Sequence, residues 1–367
     1  MKYDPIDRNL FIENRKRFKA QLLPGSVAFF NSNDEMPRTG DANYPFRQNS
    51  DIFYLSGIDQ EMSLLVICPD HPLPQYREVL FLRQTNEKIA IWEGHKYTKE
   101  EARQASGIDT ILWLEDMEPA LSVIMNHSAN VYVNINENDR FQSVVPYREL
   151  RFANDLRNRY PGHNFHRSGP VMASLRAIKS DIEIRLMHTA MNITESAFRR
   201  VLDFTRPGVM EYEIEAEITH EFIRSRGTGH AYTPIIASGR NACVLHYIDN
   251  NSECRDGEVI LMDFGAEYAN YCADLTRCIP VNGKFTKRQK DVYNAVLRVM
   301  RQATKMLVPG NTIEKYHAEV GKIMEEELIG LGLLKQDEVA RQDPASPLYK
   351  KYYMHGTTHF LGLDVHD

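Results

Sequence analysis

The chain has 367 residues, long enough for two domains, and sets 44 basic against 50 acidic side chains for a net charge of −6. That balance leaves no electrostatic footprint for nucleic acid, and no apolar run approaches the roughly 18 residues of a membrane span. Five cysteines (Cys68, Cys243, Cys254, Cys272 and Cys278) form an odd set with no C-x-x-C pair, and the mixed-charge start Met1-Lys-Tyr-Asp-Pro-Ile-Asp-Arg8 lacks the hydrophobic stretch of a secretory signal; both point to a cytoplasmic protein with reduced thiols.

In chain order, residues 6–22 have helical periodicity. Short β-type runs follow at 26–30, 52–55, 63–68, 79–82, 111–114 and 130–134, with turn-forming residues between several of them. This alternation predicts the α/β class, with one mixed sheet flanked by helices. The pattern breaks around Pro161-Gly-His-Asn164 and Ser168-Gly-Pro170, and 172–204 reads as mostly helical. A domain boundary is therefore expected near residue 170, dividing the chain into 1–170 and 171–367. The second part repeats itself: Pro207-Gly208 and Pro309-Gly310 each follow a helical run, and the residues after them match at Ala216/Ala318 and Glu217/Glu319, which suggests a duplicated half-domain.

Asp263 and Asp274 lie in Val259-Ile-Leu-Met-Asp-Phe-Gly-Ala-Glu-Tyr-Ala-Asn-Tyr-Cys-Ala-Asp-Leu-Thr-Arg277, which reads as a β-hairpin. A two-residue loop at Tyr268-Ala269 would set the aspartates directly opposite, and one at Ala269-Asn270 would make them diagonal neighbours. Either way they share a face, with Cβ atoms roughly 5–8 Å apart, while Arg277 points to the other face. A solvated sheet face is the ordinary reading of two such aspartates, and a bulge would separate them. The apolar run 259–262 argues instead for a buried strand, where like charges this close need a protonated carboxyl or a cation between them. A bound metal is the economical answer.

The chain closes on Met354-His-Gly-Thr-Thr-His-Phe-Leu-Gly-Leu-Asp-Val-His-Asp367, three of its 13 histidines in twelve residues, and His246 sits in Val244-Leu-His-Tyr-Ile248 upstream of the hairpin. A lone histidine is more often structural than a ligand, but a Gly-punctuated cluster shifts those odds. His355 and His359 have the spacing of a helical zinc motif, yet Gly356 stands where its glutamate belongs, so that reading fails.

Taken together, Leu-His-Tyr around His246, the Asp-x10-Asp hairpin ending in Asp-Leu-Thr-Arg, and the closing His-Gly-x-x-His-x-Leu-Gly-Leu-Asp-Val-His-Asp resemble the metal-dependent peptidases of the pita-bread fold, specifically Xaa-Pro aminopeptidase (aminopeptidase P) and its relative prolidase. Asn43-Tyr-Pro-Phe-Arg-Gln-Asn-Ser-Asp-Ile-Phe-Tyr-Leu-Ser-Gly57 is similar to part of the creatinase-like N-terminal domain of aminopeptidase P, so the resemblance spans nearly the whole chain. It implies a creatinase-like mixed-sheet domain followed by a pita-bread catalytic domain. It also implies that Asp263, Asp274 and His359 ligate a pair of divalent cations, with Asp274 bridging. Such oxygen-rich ligation suits Mn²⁺, with Co²⁺ or Zn²⁺ as alternatives, and a metal-bridged hydroxide would attack the scissile carbonyl. His246, His355 and His366 would be the histidines that face the substrate, moving protons or stabilising the oxyanion. Tyr232 occupies the position of a family site tyrosine, although a core tyrosine is the bland alternative.

The family pattern has two further metal-binding glutamates after Val-His-Asp, one of them also the general acid/base, and this chain stops at Asp367 with neither. The expectation is a C-terminally incomplete pita-bread domain that binds at most one metal, weakly, and turns over little. Three readings result: an aminopeptidase that releases the residue preceding a proline in position two, a prolidase acting on Xaa-Pro dipeptides, and a non-catalytic peptide-binding protein. The resemblance favours the first, acting as a homo-oligomer on a peptide partner, with no nucleic acid or membrane involved. Trp92 would line a substrate entrance or, more ordinarily, sit in the core or on the surface.

Overall fold

The computed structural model describes residues 3–138 and 140–367. The N-terminal part runs α1 (Asn9–Lys19), β1 (Ser26–Asn31), β2 (Pro37–Thr39), β3 (Ala42–Asn43), α2 (Ser50–Ser56), β4 (Leu64–Ile67), β5 (Glu78–Leu82), α3 (Glu87–Glu93), α4 (Lys99–Ser106), β6 (Thr110–Trp113), α5 (Met117–Asn126), β7 (Asn130–Val133), α6 (Arg148–Arg159), β8 (Asn164–Arg167) and α7 (Gly169–Ala177). Six of these strands form one mixed sheet, ordered β6-β5-β4-β1-β7-β8. Period-2 alternation feeds a core on each face: Ala28, Phe30, Leu65 and Ile67 enter one, while Val27, Phe29, Leu64 and Val66 enter the other.

The run 52–55, expected as a strand, lies instead in helix α2. Its Asn49 side chain accepts from the amides of Asp51 and Ile52, and Gly57 closes the helix in the left-handed region at φ 68°. All seven residues of α2 are buried or nearly so, which erases the amphipathic period that separates a helix from a strand. The helical stretch 172–204 divides into α7 and a longer helix that begins at residue 181, where Ser180 and Glu183 form a capping box.

The C-terminal part runs α8 (Asp181–Phe204), α9 (Glu211–Arg224), β9 (Gly229–His230), β10 (Ile235–Ser238), β11 (Val259–Phe264), β12 (Ala266–Tyr268), β13 (Tyr271–Cys272), β14 (Leu275–Pro280), α10 (Lys287–Met306), α11 (Ile313–Gly330) and α12 (Gln336–Val339). The repeat appears as two packed helix pairs, α8 with α9 and α10 with α11, each turning through Pro-Gly with nearly the same left-handed glycine, Gly208 at φ 91° and Gly310 at φ 89°. Strands β10, β11 and β14 make one small sheet, and β9, β12 and β13 another. Ile260, Met262 and Phe264 pack with α8 and α9 residues such as Ile193, Ile214 and Phe222. Val259 and Leu261 face the other way, onto an apolar groove of about 640 Å³ shared with Val292, Tyr293, Val296 and Met300 of α10.

Candidate active site

The hairpin pairs Asp263 with Thr276 and Tyr268 with Tyr271, so its loop is Ala269-Asn270 and the two aspartates are diagonal neighbours on one face. Ala269 and Asn270 both take positive φ, 52° and 64°, as a tight turn matched to strand twist requires. The close approach of the two arms is set at Gly265, where a Cβ would stand 1.7 Å from the Ala273 carbonyl oxygen.

Tyr232 enters between the carboxylates from the loop after β9, with its hydroxyl 2.5 Å from Asp263 Oδ1 and 3.0 Å from Asp274 Oδ1. One proton shared over two oxygens places both side chains in one cavity. Across Asp274, His359 Nε2 lies 3.2 Å from Oδ2, while His359 Nδ1 donates to the Phe360 carbonyl oxygen at 2.8 Å. His366 packs its ring 4.3 Å from that of His359 and receives Arg140 Nη1 at Nε2, 3.0 Å away. His246 is exposed on the loop after β10, and among the described residues no hydrogen bond or ring contact ties it to the carboxylates.

The electrostatics separate the two carboxyls. Burial raises the pKa of Asp263, and the Asp274 charge adds to the rise. The hydrogen bond from His359 lowers that of Asp274 and in return raises the pKa of His359. Burial, then the charges of His359 and Arg140, lower that of His366.

The donor set fits a divalent cation. With Nδ1–H committed to Phe360, His359 Nε2 and Asp274 Oδ2 are two acceptors in contact, and they need a proton or a metal ion between them. Among the described residues, however, no three His, Cys, Asp or Glu side chains converge on a common point with ligand geometry. The three candidates are gathered, with the Tyr232 hydroxyl between the carboxylates.

Not every expected residue joins this cluster. His355 is exposed, facing Tyr353 with its Nδ1 on the Gly356 carbonyl oxygen, and among the described residues no hydrogen bond or ring contact ties it to the aspartates. The amides of Thr357 and Thr358 instead bind His317 of α11. Trp92 is 82% exposed on α3, beside an equally bare Ile91.

Sequence reasoning missed the residues that hold the site segments. Arg176 binds Asp51, Asp364 and Asp367, and Lys179 adds a second cation to Asp367. The 364–367 segment thereby forms a wall of a cavity of about 610 Å³, facing Asn134 and Glu149 of the N-terminal part. Glu211, fully buried on α9, accepts from Ser238 N at 2.7 Å, Asn241 Nδ2 at 3.1 Å, Tyr247 Oη at 2.6 Å and Ser252 N at 2.9 Å. It gathers both ends of the loop that carries His246.

Comparison with known proteins fits this arrangement. The model of metallopeptidase family M24 matches residues 185–367, and that of the aminopeptidase P N-terminal domain matches 11–132. The Xaa-Pro aminopeptidase of Haemophilus influenzae is 35% identical over 362 residues, covering 99% of this chain and 81% of that protein. The Escherichia coli Xaa-Pro aminopeptidase is 34% identical over 372 residues, covering 99% and 82%. The chain belongs to the Xaa-Pro aminopeptidase family. The structure of E. coli aminopeptidase P in its low-pH form superposes with a TM-score of 0.86, covering 99% of this chain and 82% of that one, and a zinc-substituted form with product gives 0.85 over the same shares. These relationships establish a mixed α/β chain with a pita-bread domain and the activity of a metal-dependent aminopeptidase, a hydrolase that uses divalent metal ions.

Proposed function

We propose that this chain releases the N-terminal residue of peptides whose second residue is proline. The carrying observation is the gathering of Asp263, Asp274, His359 and Tyr232 on one side of the hairpin, in a chain alike over its length to enzymes named for that specificity. Residues 1–170 form the N-terminal unit and 171–367 the catalytic one. Asp263, Asp274 and His359 are the residues that would hold divalent metal, and their two carboxylates to one imidazole would favour Mn²⁺. The metal supplies Lewis-acid chemistry at the scissile carbonyl.

The chain's own residues do the rest. The Tyr232 hydroxyl fixes the spacing of the carboxylates and orients both toward the cavity. His359 gives up its Nε2 proton when the site loads, because Phe360 retains the one on Nδ1. His366, whose pKa is lowered by burial and its cationic neighbours, packs on His359, and it and His246 exchange protons with substrate.

Five free cysteines support a cytoplasmic location, and among the described residues no helix is long and apolar enough to cross a membrane. The bare Ile91-Trp92 pair supports assembly into a homo-oligomer. The test is turnover by the Mn²⁺-loaded protein of Xaa-Pro-Xaa tripeptides, Xaa-Ala-Xaa tripeptides and Xaa-Pro dipeptides. Cleavage of the first set alone supports the reading; preference for the dipeptides makes it a prolidase, and cleavage of none refutes both.

A further inference from the structure

We infer that Arg47, a residue of the N-terminal part, positions the catalytic constellation by joining the aspartate hairpin to the segment that carries His366. The inference rests on the proposed roles of Asp274 and His366. Arg47 Nε donates to Glu267 Oε2 at 2.6 Å, and Nη2 donates to the Asn270 carbonyl oxygen at 3.3 Å, so one edge of the guanidinium grips the tip of the hairpin. Nη2 also donates to the Leu363 carbonyl oxygen, and Nη1 lies 3.7 Å from Asp364 Oδ1. Both partners lie within three residues of His366, and Asp274 lies four residues past Asn270.

The surroundings make this grip specific. Glu267 is nearly buried, and its other oxygen is taken by Thr228 Oγ1 at 2.7 Å. Asp364 is fixed in turn by Ser50 Oγ at 2.8 Å. Cys272 N donates to the Gly362 carbonyl oxygen at 2.8 Å, a direct bond between the same two segments that a shift of either would break. Among the described residues, Arg47 is the cation bonded to both sides; Arg176 and Lys179 hold the 364–367 side alone. With the Gln48 carbonyl oxygen and Ser50 Oγ also accepting from Nη1, three carbonyls, a hydroxyl and two carboxylates surround one planar cation, which calls for the five-donor fork of arginine; the three donors of a lysine cannot reproduce it.

Arg47 touches none of the groups assigned to metal or substrate. Its effect is on the relative placement of Asp274 and His366, and a displacement of about 1 Å between reacting groups can cost on the order of 10²-fold in rate.

The test compares wild type with Arg47→Ala and Arg47→Lys by amide hydrogen exchange and by kinetics on an Xaa-Pro-Xaa peptide. In Arg47→Ala, exchange should accelerate by about tenfold or more in both 266–272 and 360–367, with β1, β4 and β5 unchanged. Arg47→Lys keeps the charge and guards against loss of the fold; it should show the same two segments at smaller amplitude. In the alanine variant kcat should fall about 10²-fold with KM within a few-fold, and added guanidinium ion should restore part of kcat in that variant only. Wild-type exchange rates in either segment, a uniform acceleration throughout the chain, or an unchanged kcat would each overturn the inference. If wild type itself cleaves no Xaa-Pro peptide, the proposed activity fails, while the exchange comparison still decides whether Arg47 joins the two segments.

Discussion

The rings of His359 and His366 meet edge to face, 4.3 Å apart and inclined by 70°. Their titrations move in opposite directions. The hydrogen bond to Asp274 raises the pKa of His359, whereas burial and the neighbouring charges of His359 and Arg140 lower that of His366. Two like residues in contact are thereby given different surroundings, one paired to a carboxylate and the other facing the Arg140 guanidinium.

Metal loading should therefore be coupled to proton release. His359 has a raised pKa, so its pairing with Asp274 stabilises the metal-free fold fully below the usual histidine range, and that contribution is lost as pH rises through the raised value. A divalent ion must displace the same proton, so affinity should weaken as pH falls. Calorimetric titration of Mn²⁺ in two buffers of different ionisation enthalpy should give different apparent heats below neutrality. Identical heats would mean that His359 is not displaced.

The histidines should divide by role. His359→Ala should lower metal content and activity together, while His366→Ala and His246→Ala should keep the metal and lower kcat/KM by about 10²–10⁴-fold. Elemental analysis beside the kinetics separates these outcomes; equal metal loss in all three would show that ligands and substrate-facing groups have been confused.

Glu149 gives the N-terminal part a pH dependence of its own. It is buried, and that burial pushes its carboxyl up to about 8 against the lowering pull of Asn31 and Asn134. A carboxyl with a raised folded-state pKa contributes stability that is complete below its unfolded value and is lost as pH climbs through about 8. Unfolding free energy should therefore drop by a few kcal/mol, about 2–4, between about pH 5 and 8, in addition to other trends. Glu149→Gln cannot ionise and should flatten this part of the profile; parallel denaturation profiles for the two proteins would refute it.

Glu211 should matter to stability and to His246 together. Removing its carboxylate in Glu211→Ala strands the buried Ser238 amide, the half-buried Ser252 amide, the Tyr247 hydroxyl and the Asn241 side-chain amide, at a cost of about 3 kcal/mol. Tyr247→Phe removes one of the four donors and should cost about 1 kcal/mol. Urea unfolding gives both values, and a near-neutral Glu211→Ala would show that water satisfies those donors.

The sequence revealed what depends on strand parity and hid what depends on tertiary contact. Asp263 and Asp274 share a face because side chains alternate, but the choice of Ala269-Asn270 as the loop required a left-handed alanine, which no local preference signals. Residues 52–55 looked like a strand because a helix buried all round leaves no stripe. Strand β8, short and polar at the sheet edge, fell in a stretch that reads as a break. Arg47 was visible as part of a motif, but its partners lie 220 and 316 positions away, beyond any window of local pattern.

Those separations also set an order of events during synthesis. The hairpin from Val259 to Pro280 closes over a few residues, which takes on the order of microseconds once the segment exists. Arg47 emerges early and meets Leu363 only after 316 further positions have been translated, roughly tens of seconds at ordinary elongation rates. Throughout that interval the N-terminal sheet can fold while its future contact surface is still open to water. A pause or a chain break shortly before residue 360 would thus leave Arg47 bonded to the hairpin through Glu267 and Asn270 while its Leu363 side stays open to water.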